Sequence, residues 1–356
     1  MLQEDKRHSV NNFDFIRLVA ALLVIEGHAF ALSDINLIEP FSRLVKSTYS
    51  GEIAVDIFFL ISGYLITKSY LSSGDLFKYV LSRVLRIVPG LMVCCLLTVF
   101  LIIPLVFYLT ETLPNNYFHQ ISTYKYLYNI LLYPLQFTIN GISFSKGVFG
   151  DAVNGSLWTL SYEFTCYIMI AVLGIIRLLK KETVIIIFTM SYIISICQFP
   201  SSFIIFPYQD LQKLSFFMSL FFCGSIYYFF EDYIKYSIGF TLFSFIALAY
   251  FSLLGKYFNL AFVIFGSYIV FGFAFKINIG VRYIAKHCDL SYGVYIYGFL
   301  IQQIIVYCWG GTMSPYINMI ITYPVVLLLA YCSWHLVEKP CLNLKNKRIS
   351  IIMDNP

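Results

Sequence analysis

Apolar stretches of about 20 residues recur along the whole chain and constrain its fold more than any other feature. Each is long enough to cross the hydrocarbon core of a bilayer as an α-helix. Only 12% of the 356 residues are charged and 59% are hydrophobic, whereas soluble domains carry about 25% charged residues. The sequence therefore predicts an all-α, polytopic integral membrane protein.

We predict about ten transmembrane helices in one membrane domain, residues 11–340, with short tails at 1–10 and 341–356. A further apolar segment, 126–145, is interrupted by Pro134 and Asn140, so we interpret it as interfacial or re-entrant. The predicted spans are residues 13–33, 52–71, 88–108, 156–177, 183–200, 213–230, 236–254, 258–275, 288–309 and 317–336.

The distribution of basic residues predicts the orientation. If both termini are cytoplasmic, 18 of the 24 lysines and arginines fall on the cytoplasmic side, as expected for a protein whose cytoplasmic loops are enriched in positive charge. These residues lie at helix ends, so the net charge of +5 does not indicate nucleic-acid binding. The nine cysteines lie in or beside spans without paired spacing, and we predict neither disulfides nor a metal site.

The first span carries two ionisable side chains, Arg17 and His28, eleven residues apart. At about 100° per residue, eleven helical steps return to within roughly 20° of the start, so both side chains share one face. At about 1.5 Å per residue they stand roughly 16 Å apart. Ionisable groups inside a bilayer are costly, and we treat them as candidates for function.

Three ionisable residues from three predicted spans fall at similar depth near the outer face: His28, Asp56 and Glu163. A carboxylate beside a histidine fixes its tautomer and supports its protonated form, an arrangement suited to a general base. A buried polar network that locks the helices together would use the same residues. Depth alone leaves both interpretations open.

A polar stripe begins the fourth predicted span. Ser156, Thr159 and Glu163 are spaced by three and four residues and so share a helix face, with Trp158 and Tyr162 beside them. Aromatic rings next to polar groups suit a sugar-binding site, and we predict Trp158, Tyr162 and Ser156 as substrate contacts. An ordinary aromatic belt at the membrane interface has the same composition.

A second cluster lies on the cytoplasmic side, where residues 74–89 form a predicted amphipathic helix that leads into the third span. Arg83 and Arg86 are three apart and share a face. Two guanidinium groups there suit a phosphate or pyrophosphate. Arginines at this depth also extend toward the interface and contact anionic lipids.

Six motifs in order along the chain resemble the signatures of the membrane-bound acyltransferase family 3, which acylates bacterial surface polysaccharides and related acceptors. Many members carry a histidine where this chain has Gly298, and some carry a fused extracytoplasmic hydrolase-like domain, which we expect this chain to lack. The six motifs are residues 13–28, 55–66, 83–89, 156–164, 291–295 and 338–340.

The resemblance implies an acyltransferase with His28 as the catalytic residue and Asp56 and Glu163 in the same site. It also implies that three arginines hold the donor, acyl-CoA, most often acetyl-CoA; these are Arg17, Arg83 and Arg86. His28 would act either as a general base or as a covalent acyl carrier.

From this resemblance we expect an O-acetyltransferase of the bacterial cytoplasmic (inner) membrane. Its acceptor would be a hydroxyl of a surface glycan, such as lipopolysaccharide O-antigen or exopolysaccharide. Membrane lipids are its other expected partners. A transporter or flippase of a glycan or lipid-linked intermediate is the alternative, since it would also use many spans, charges at depth and outer aromatic residues.

Overall fold

In the computed structural model, the residues described are 11–33, 37–144, 148–197, 204–206, 209–276 and 288–344. The predicted tail 1–10 and residues 345–356 of the predicted C-terminal tail lie outside these ranges. The described chain is predominantly helical, which confirms the predicted class. One short antiparallel hairpin was not predicted, and it pairs β1 (Ile204–Phe206) with β2 (Gln209–Asp210).

Fourteen α-helices are assigned within the described ranges. Turns of π-helix at Thr98–Ile102 and Phe262–Gly266 join consecutive helices, and another at Trp334–Glu338 follows the last. The α-helices are α1 (Phe13–Ala31), α2 (Pro40–Leu44), α3 (Ser50–Ser73), α4 (Leu76–Leu97), α5 (Ile103–Leu109), α6 (Ile121–Tyr124), α7 (Trp158–Ile175), α8 (Lys181–Ile196), α9 (Leu211–Phe229), α10 (Ile238–Leu254), α11 (Phe258–Ala261), α12 (Ser267–Lys276), α13 (Ser291–Cys308) and α14 (Pro315–Ser333).

Within the part of the chain described, six helical stretches are long and apolar enough to cross a membrane, so the protein is a multi-pass membrane protein. The predicted count of ten spans and the orientation stay predictions. Helices α8 and α10 have 16 and 17 residues, about 24–26 Å at 1.5 Å per residue, against a core of about 30 Å. The six stretches are Ser50–Ser73, Leu76–Leu109, Gly155–Ile175, Phe258–Lys276, Ser291–Cys308 and Pro315–Leu344.

Two segments follow the sequence interpretation closely. The predicted amphipathic helix and the third span form one continuous helical stretch, Leu76–Leu109, whose first turn is capped by the Asp75 carboxylate accepting from the backbone N–H of Phe77 at 2.7 Å. Segment 126–145 holds a 3₁₀ helix, Lys125–Leu131, followed by irregular chain as far as residue 144. It is therefore not a continuous spanning helix.

The chain divides into two compact units. The first unit contains residues 1–24, 38–74 and 162–289, and the second contains residues 25–37, 75–161 and 290–356. Both α1 and α7 thus contribute one part to each unit.

Close helix packing holds the first unit together. Helices α3 and α9 approach each other at two glycines, because a Cβ at Gly63 would lie 1.7 Å from the Phe221 carbonyl oxygen and one at Gly224 would lie 2.0 Å from that of Leu60. Small residues of this kind let membrane helices pack backbone to backbone. The Thr67 hydroxyl donates to Ser225 Oγ at 2.8 Å across the same contact.

The second unit is built around α13, whose residues 291–300 are all buried. Gly293 of α13 faces α14, since a Cβ there would lie 2.8 Å from Ala330. An apolar cluster toward the other end of α13 contains Leu32, Phe299, Val306 and Met313. Leu32 directly follows α1, and Phe299 contacts His28.

Candidate active site

His28 lies in the last turn of α1, within the second unit. Helix α1 continues without a break through Gly27 to Ala31, so the helical spacing assumed for Arg17 and His28 is correct. The half-buried imidazole meets the Phe299 ring edge-on, with centroids 5.1 Å apart and planes at 87°. Its Nδ1 is buried and has no hydrogen-bond partner within the described chain.

Phe299 reaches His28 because the residue behind it is a glycine. A Cβ at Gly155 would lie 2.8 Å from two atoms of the Phe299 ring, closer than real Cβ contacts allow. Gly155 therefore makes room for the ring that packs against the candidate catalytic histidine. Neither residue was predicted as part of the site.

The segment after Gly155 is tied to α13 by hydrogen bonds. The Tyr295 hydroxyl donates to the Ser156 carbonyl oxygen at 2.6 Å and also contacts the Thr159 hydroxyl. The Asn154 side chain donates to the Ile296 carbonyl oxygen at 2.7 Å. These contacts fix the start of α7 against the helix that carries Phe299.

The predicted stripe of Ser156, Thr159 and Glu163 is not a single α-helical face in the structure. Ser156 lies in a 3₁₀ turn, Gly155–Leu157, and α7 begins at Trp158, because the Asn154 side chain caps the turn by accepting from the Ser156 N–H. Ser156 is 1% exposed, and its Oγ has no partner among the residues described.

The two aromatic candidates differ in accessibility. Trp158 is half-buried. Tyr162 is buried in the first unit, where it packs on Phe217 with centroids 5.4 Å apart and its hydroxyl oxygen accepts from the Asp210 N–H at 3.3 Å. The structure therefore gives Tyr162 a packing role, and sugar contacts by either ring stay a prediction.

Glu163 belongs to the first unit and has two hydroxyl donors. Ser62 donates to its Oε1 at 3.0 Å, and Tyr167, one turn along α7, donates to the same oxygen. The sequence motif identified Glu163 but gave no indication of Ser62 or Tyr167 as its partners.

Asp56 lies on α3 in the first unit, is 1% exposed, and its Oδ2 has no partner in the described ranges. Glu52 stands one turn away, and Tyr49 precedes the helix. Burial, with the nearby carboxylates of Glu52, Asp56 and Glu39, raises the pKa of Tyr49 to about 12. The surroundings of Asp56 are thus dominated by negative charge.

Arg17 forms an ion pair that the sequence did not predict. Its Nη1 lies 3.1 Å from Asp289 Oδ2, and the two side chains are 20% and 14% exposed. Asp289 stands two residues before the 291–295 motif, but 272 positions separate the partners, so no local pattern relates them. Because a guanidinium carries five N–H donors, this one contact leaves capacity for an anionic ligand.

Arg86 is held inside the second unit by an anion and two aromatic rings. Its Nη1 lies 3.5 Å from Glu338 Oε2, and the side chains are 13% and 1% exposed. The guanidinium carbon lies 5.8 Å from the Tyr292 ring centroid and 5.6 Å from that of Trp334. Ser333 donates to the other carboxylate oxygen of Glu338 at 2.9 Å.

Arg83 differs from Arg86. It is half-buried on the same helix, and its Nε donates to the hydroxyl of the adjacent Ser82 at 3.3 Å. Arg86 therefore joins α4 to the segment after α14, while Arg83 contacts its neighbour on α4.

The candidates are divided between the units. His28, Ser156, Trp158, Arg83 and Arg86 lie in the second unit, and Arg17, Asp56, Tyr162 and Glu163 lie in the first. The carboxylate that would orient His28 stays a prediction. Among the residues described, no group of three His, Cys, Asp or Glu side chains is arranged to hold a metal ion.

Comparison with known proteins gives two relatives with informative names. A protein named O-acetyl transferase, of Shigella phage Sf6, is 30% identical over 97% of this chain and 99% of its own length. A protein named Nodulation protein 10, of Rhizobium leguminosarum bv. viciae, is 31% identical over 46% of this chain and 44% of its own length. No solved structure matches the chain.

The family comparison covers nearly the whole chain. The model for acyltransferase family 3, described as an acyltransferase domain, matches residues 10–337. That range includes His28, the arginine pair of α4 and the buried first part of α13, which are features that the site geometry singles out. The chain belongs to acyltransferase family 3, as its sequence motifs predicted.

Proposed function

We propose that this membrane acyltransferase is an O-acetyltransferase that takes acetyl from cytoplasmic acetyl-CoA and transfers it to a hydroxyl of a bacterial surface glycan. The glycan would be a lipopolysaccharide O-antigen or an exopolysaccharide, and the enzyme would lie in the inner membrane. The phage relative's name, O-acetyl transferase, supports the acetyl group. The family match favours the transferase over the transporter hypothesis.

His28 is the observation that carries this proposal. It is a half-buried imidazole on α1, a predicted span, and it packs against Phe299 with a buried Nδ1 that makes no hydrogen bond within the described chain. A buried polar atom without a partner costs about 1–3 kcal/mol, and proteins retain such groups where they have a use. A neutral imidazole is the side chain best suited to move a proton near neutral pH.

Two routes satisfy the chemistry. In the first, the imidazole accepts the proton of the acceptor hydroxyl, whose oxygen bonds to the acetyl carbon as the thioester C–S bond breaks, and the proton passes to the departing thiolate. In the second, an imidazole nitrogen bonds to the acetyl carbon as that C–S bond breaks, and the departing thiolate takes the proton of the other imidazole nitrogen. The hydroxyl oxygen then bonds to the acetyl carbon as the C–N bond breaks, and the hydroxyl proton returns to the imidazole. Both give an acetyl ester and free CoA.

Three arginines would bind the donor. Arg17 and Arg86 are each held in place by a carboxylate, Asp289 and Glu338, and Arg83 is half-buried on the same helix as Arg86. We propose that the three guanidinium groups contact the CoA phosphates. Charge-assisted bonds from a guanidinium to phosphate are stronger than neutral ones.

Proteoliposomes with the donor and the acceptor on opposite sides of the bilayer test the proposal. Purified protein is reconstituted, labelled acetyl-CoA is supplied on one side only, and a panel of glycans on the other. The proposal predicts acetyl esters on a glycan across the bilayer from the donor. Transfer only when donor and glycan share one side would contradict the membrane-crossing part, and no transfer to any bacterial surface glycan would contradict the acceptor class. Mass spectrometry of glycans from cells with and without the gene then identifies the position acetylated.

A further inference from the structure

A buried glutamine contacts the backbone of the helix that carries His28. Gln302 on α13 is fully buried, and its Nε2 donates to the Ile25 carbonyl oxygen of α1 at 2.8 Å and to Asn318 Oδ1 of α14 at 3.0 Å. All three residues belong to the second unit. A carbonyl oxygen only accepts, so the Ile25 contact requires the amide nitrogen of Gln302 to face α1.

The hydrogen bonds of Asn318 fix the amide of Gln302 further. Asn318 Oδ1 also accepts from Thr322 Oγ1 at 3.2 Å, and Asn318 Nδ2 lies 3.4 Å from the Gln302 carbonyl oxygen. Asn318 is 1% exposed and Thr322 is fully buried. Each donor atom in this network has an acceptor, while Gln302 Oε1 is buried without a partner among the described residues. The two bonds of Nε2 to α1 and α14 therefore set the orientation of the Gln302 amide.

The contact lies one turn from the candidate catalytic residue. Ile25 precedes His28 by three residues, and Phe299 precedes Gln302 by three residues on α13, so one turn of α13 touches both the backbone and the imidazole of the His28 turn. Gly298 lets the helices approach here, since a Cβ at that position would lie 3.1 Å from Ile25 Cγ1.

We propose that Gln302, supported by Asn318, is a positioning residue for His28. Gln302 fixes the turn of α1 that carries the imidazole, while Phe299 fixes the plane of the ring. The proposal rests on the proposed function, in which His28 performs the transfer. Reacting groups must be held within about 0.5 Å of productive geometry, and a displacement of about 1 Å costs on the order of 100-fold in rate.

The competing explanation is structural, because buried amides also join membrane helices that have no catalytic role. The neighbouring Gln303 provides a matched control. It is the same residue type, 1% exposed, and its Nε2 likewise donates to two backbone carbonyl oxygens, those of Phe149 at 2.7 Å and Ala152 at 3.1 Å. Gln303 bonds to a loop, whereas Gln302 bonds to α1.

The test compares Gln302→Leu with Gln303→Leu in purified protein. For Gln302→Leu we expect kcat to fall about 10- to 100-fold with the KM for acetyl-CoA within about twofold, because donor binding does not depend on the His28 turn. For Gln303→Leu we expect a similar change in Tm without the selective loss of kcat. Equal kcat values in the two variants would overturn the positioning role.

A histidine double-variant cycle separates this inference from the proposed function. If Gln302 acts through His28, Gln302→Leu has no further effect on the residual activity of His28→Ala; a further fall would overturn the inference alone. Wild-type activity in His28→Ala would overturn the proposed function.

NMR of the His28 ring tests the positioning role without measuring catalysis. In protein labelled with ¹⁵N-histidine, the His28 ring resonances are assigned by their loss in His28→Ala. They should shift in Gln302→Leu but not in Gln303→Leu, and unshifted resonances would overturn the positioning role. If Gln302→Leu does not fold, Asn318→Ala retains the Ile25 bond, and we expect a smaller change of the same sign.

Discussion

Breaking the ion pair between Arg86 and Glu338 should destabilise the second unit. An Arg86 variant therefore cannot test donor binding alone, because its fold is also weakened. Arg86→Ala would leave the Glu338 carboxylate, 1% exposed, without its cation. Two unit charges 3.5 Å apart attract by about 5 kcal/mol at an effective dielectric of 20, before the cost of removing both from water. Removing one partner of a buried pair typically costs about 3–5 kcal/mol, and the 3.5 Å separation favours the lower end.

The assay is thermal unfolding of purified protein in detergent for Arg86→Ala, Glu338→Gln and the double variant. We expect a fall in Tm of at least about 5 °C for Arg86→Ala, and a double variant less destabilised than the sum of the two single changes. An Arg86→Ala protein with the Tm of wild type, or strictly additive effects, would refute the pair's contribution to stability.

Arg83→Ala tests the proposed contact between α4 and the donor, acetyl-CoA. Arg83 is half-buried and its Nε donates to the hydroxyl of the adjacent Ser82. We expect the KM for acetyl-CoA to rise about tenfold, equivalent to about 1.4 kcal/mol, and the Tm of the variant shows whether its fold is retained. Lys78→Ala, on the same helix, controls for loss of one positive charge. An unchanged KM in Arg83→Ala would favour lipid contact over donor binding.

Two glycine substitutions test the packing. Gly63→Ala should destabilise the first unit by about 1–3 kcal/mol, because its Cβ would lie 1.7 Å from the Phe221 carbonyl oxygen. Gly239→Ala is the control, since a Cβ there has nothing within 4 Å, and its Tm should equal or exceed that of wild type. A Gly63→Ala protein with the same Tm as Gly239→Ala would contradict the close approach of α3 and α9. Gly155→Ala should displace the Phe299 ring from His28 and lower kcat with little effect on Tm, and a wild-type kcat would show that the ring contact is not needed.

Local patterns in the sequence predicted most of the helices, because burial in a membrane requires long apolar stretches with internally satisfied backbone. They also predicted that α1 is helical from Arg17 to His28. The span count was less secure, since α8 and α10 are apolar but short. Ser156 was predicted to lie in the α-helix, but the Asn154 side chain caps a 3₁₀ turn there and α7 begins at Trp158.

Partners distant in sequence were not predicted. Asp289 and Glu338 satisfy Arg17 and Arg86 across 272 and 252 positions, and one sequence gives no signal that links such pairs. Glu338 was noted as part of a motif, but its function as the anion for Arg86 became visible only in the fold. Gln302 had no signal at all, since a glutamine in an apolar span resembles any other polar residue there.

The most direct test of the account is acetyl transfer by His28→Ala. Wild type, His28→Ala and the exposed control His119→Ala are given labelled acetyl-CoA with the glycan that accepts acetyl in the wild-type reaction. We predict that His28→Ala folds with the Tm of wild type within a few degrees and transfers acetyl at least about 100-fold more slowly than wild type, while His119→Ala, whose side chain is exposed, transfers at the wild-type rate. Transfer by His28→Ala at the wild-type rate would contradict the central claim.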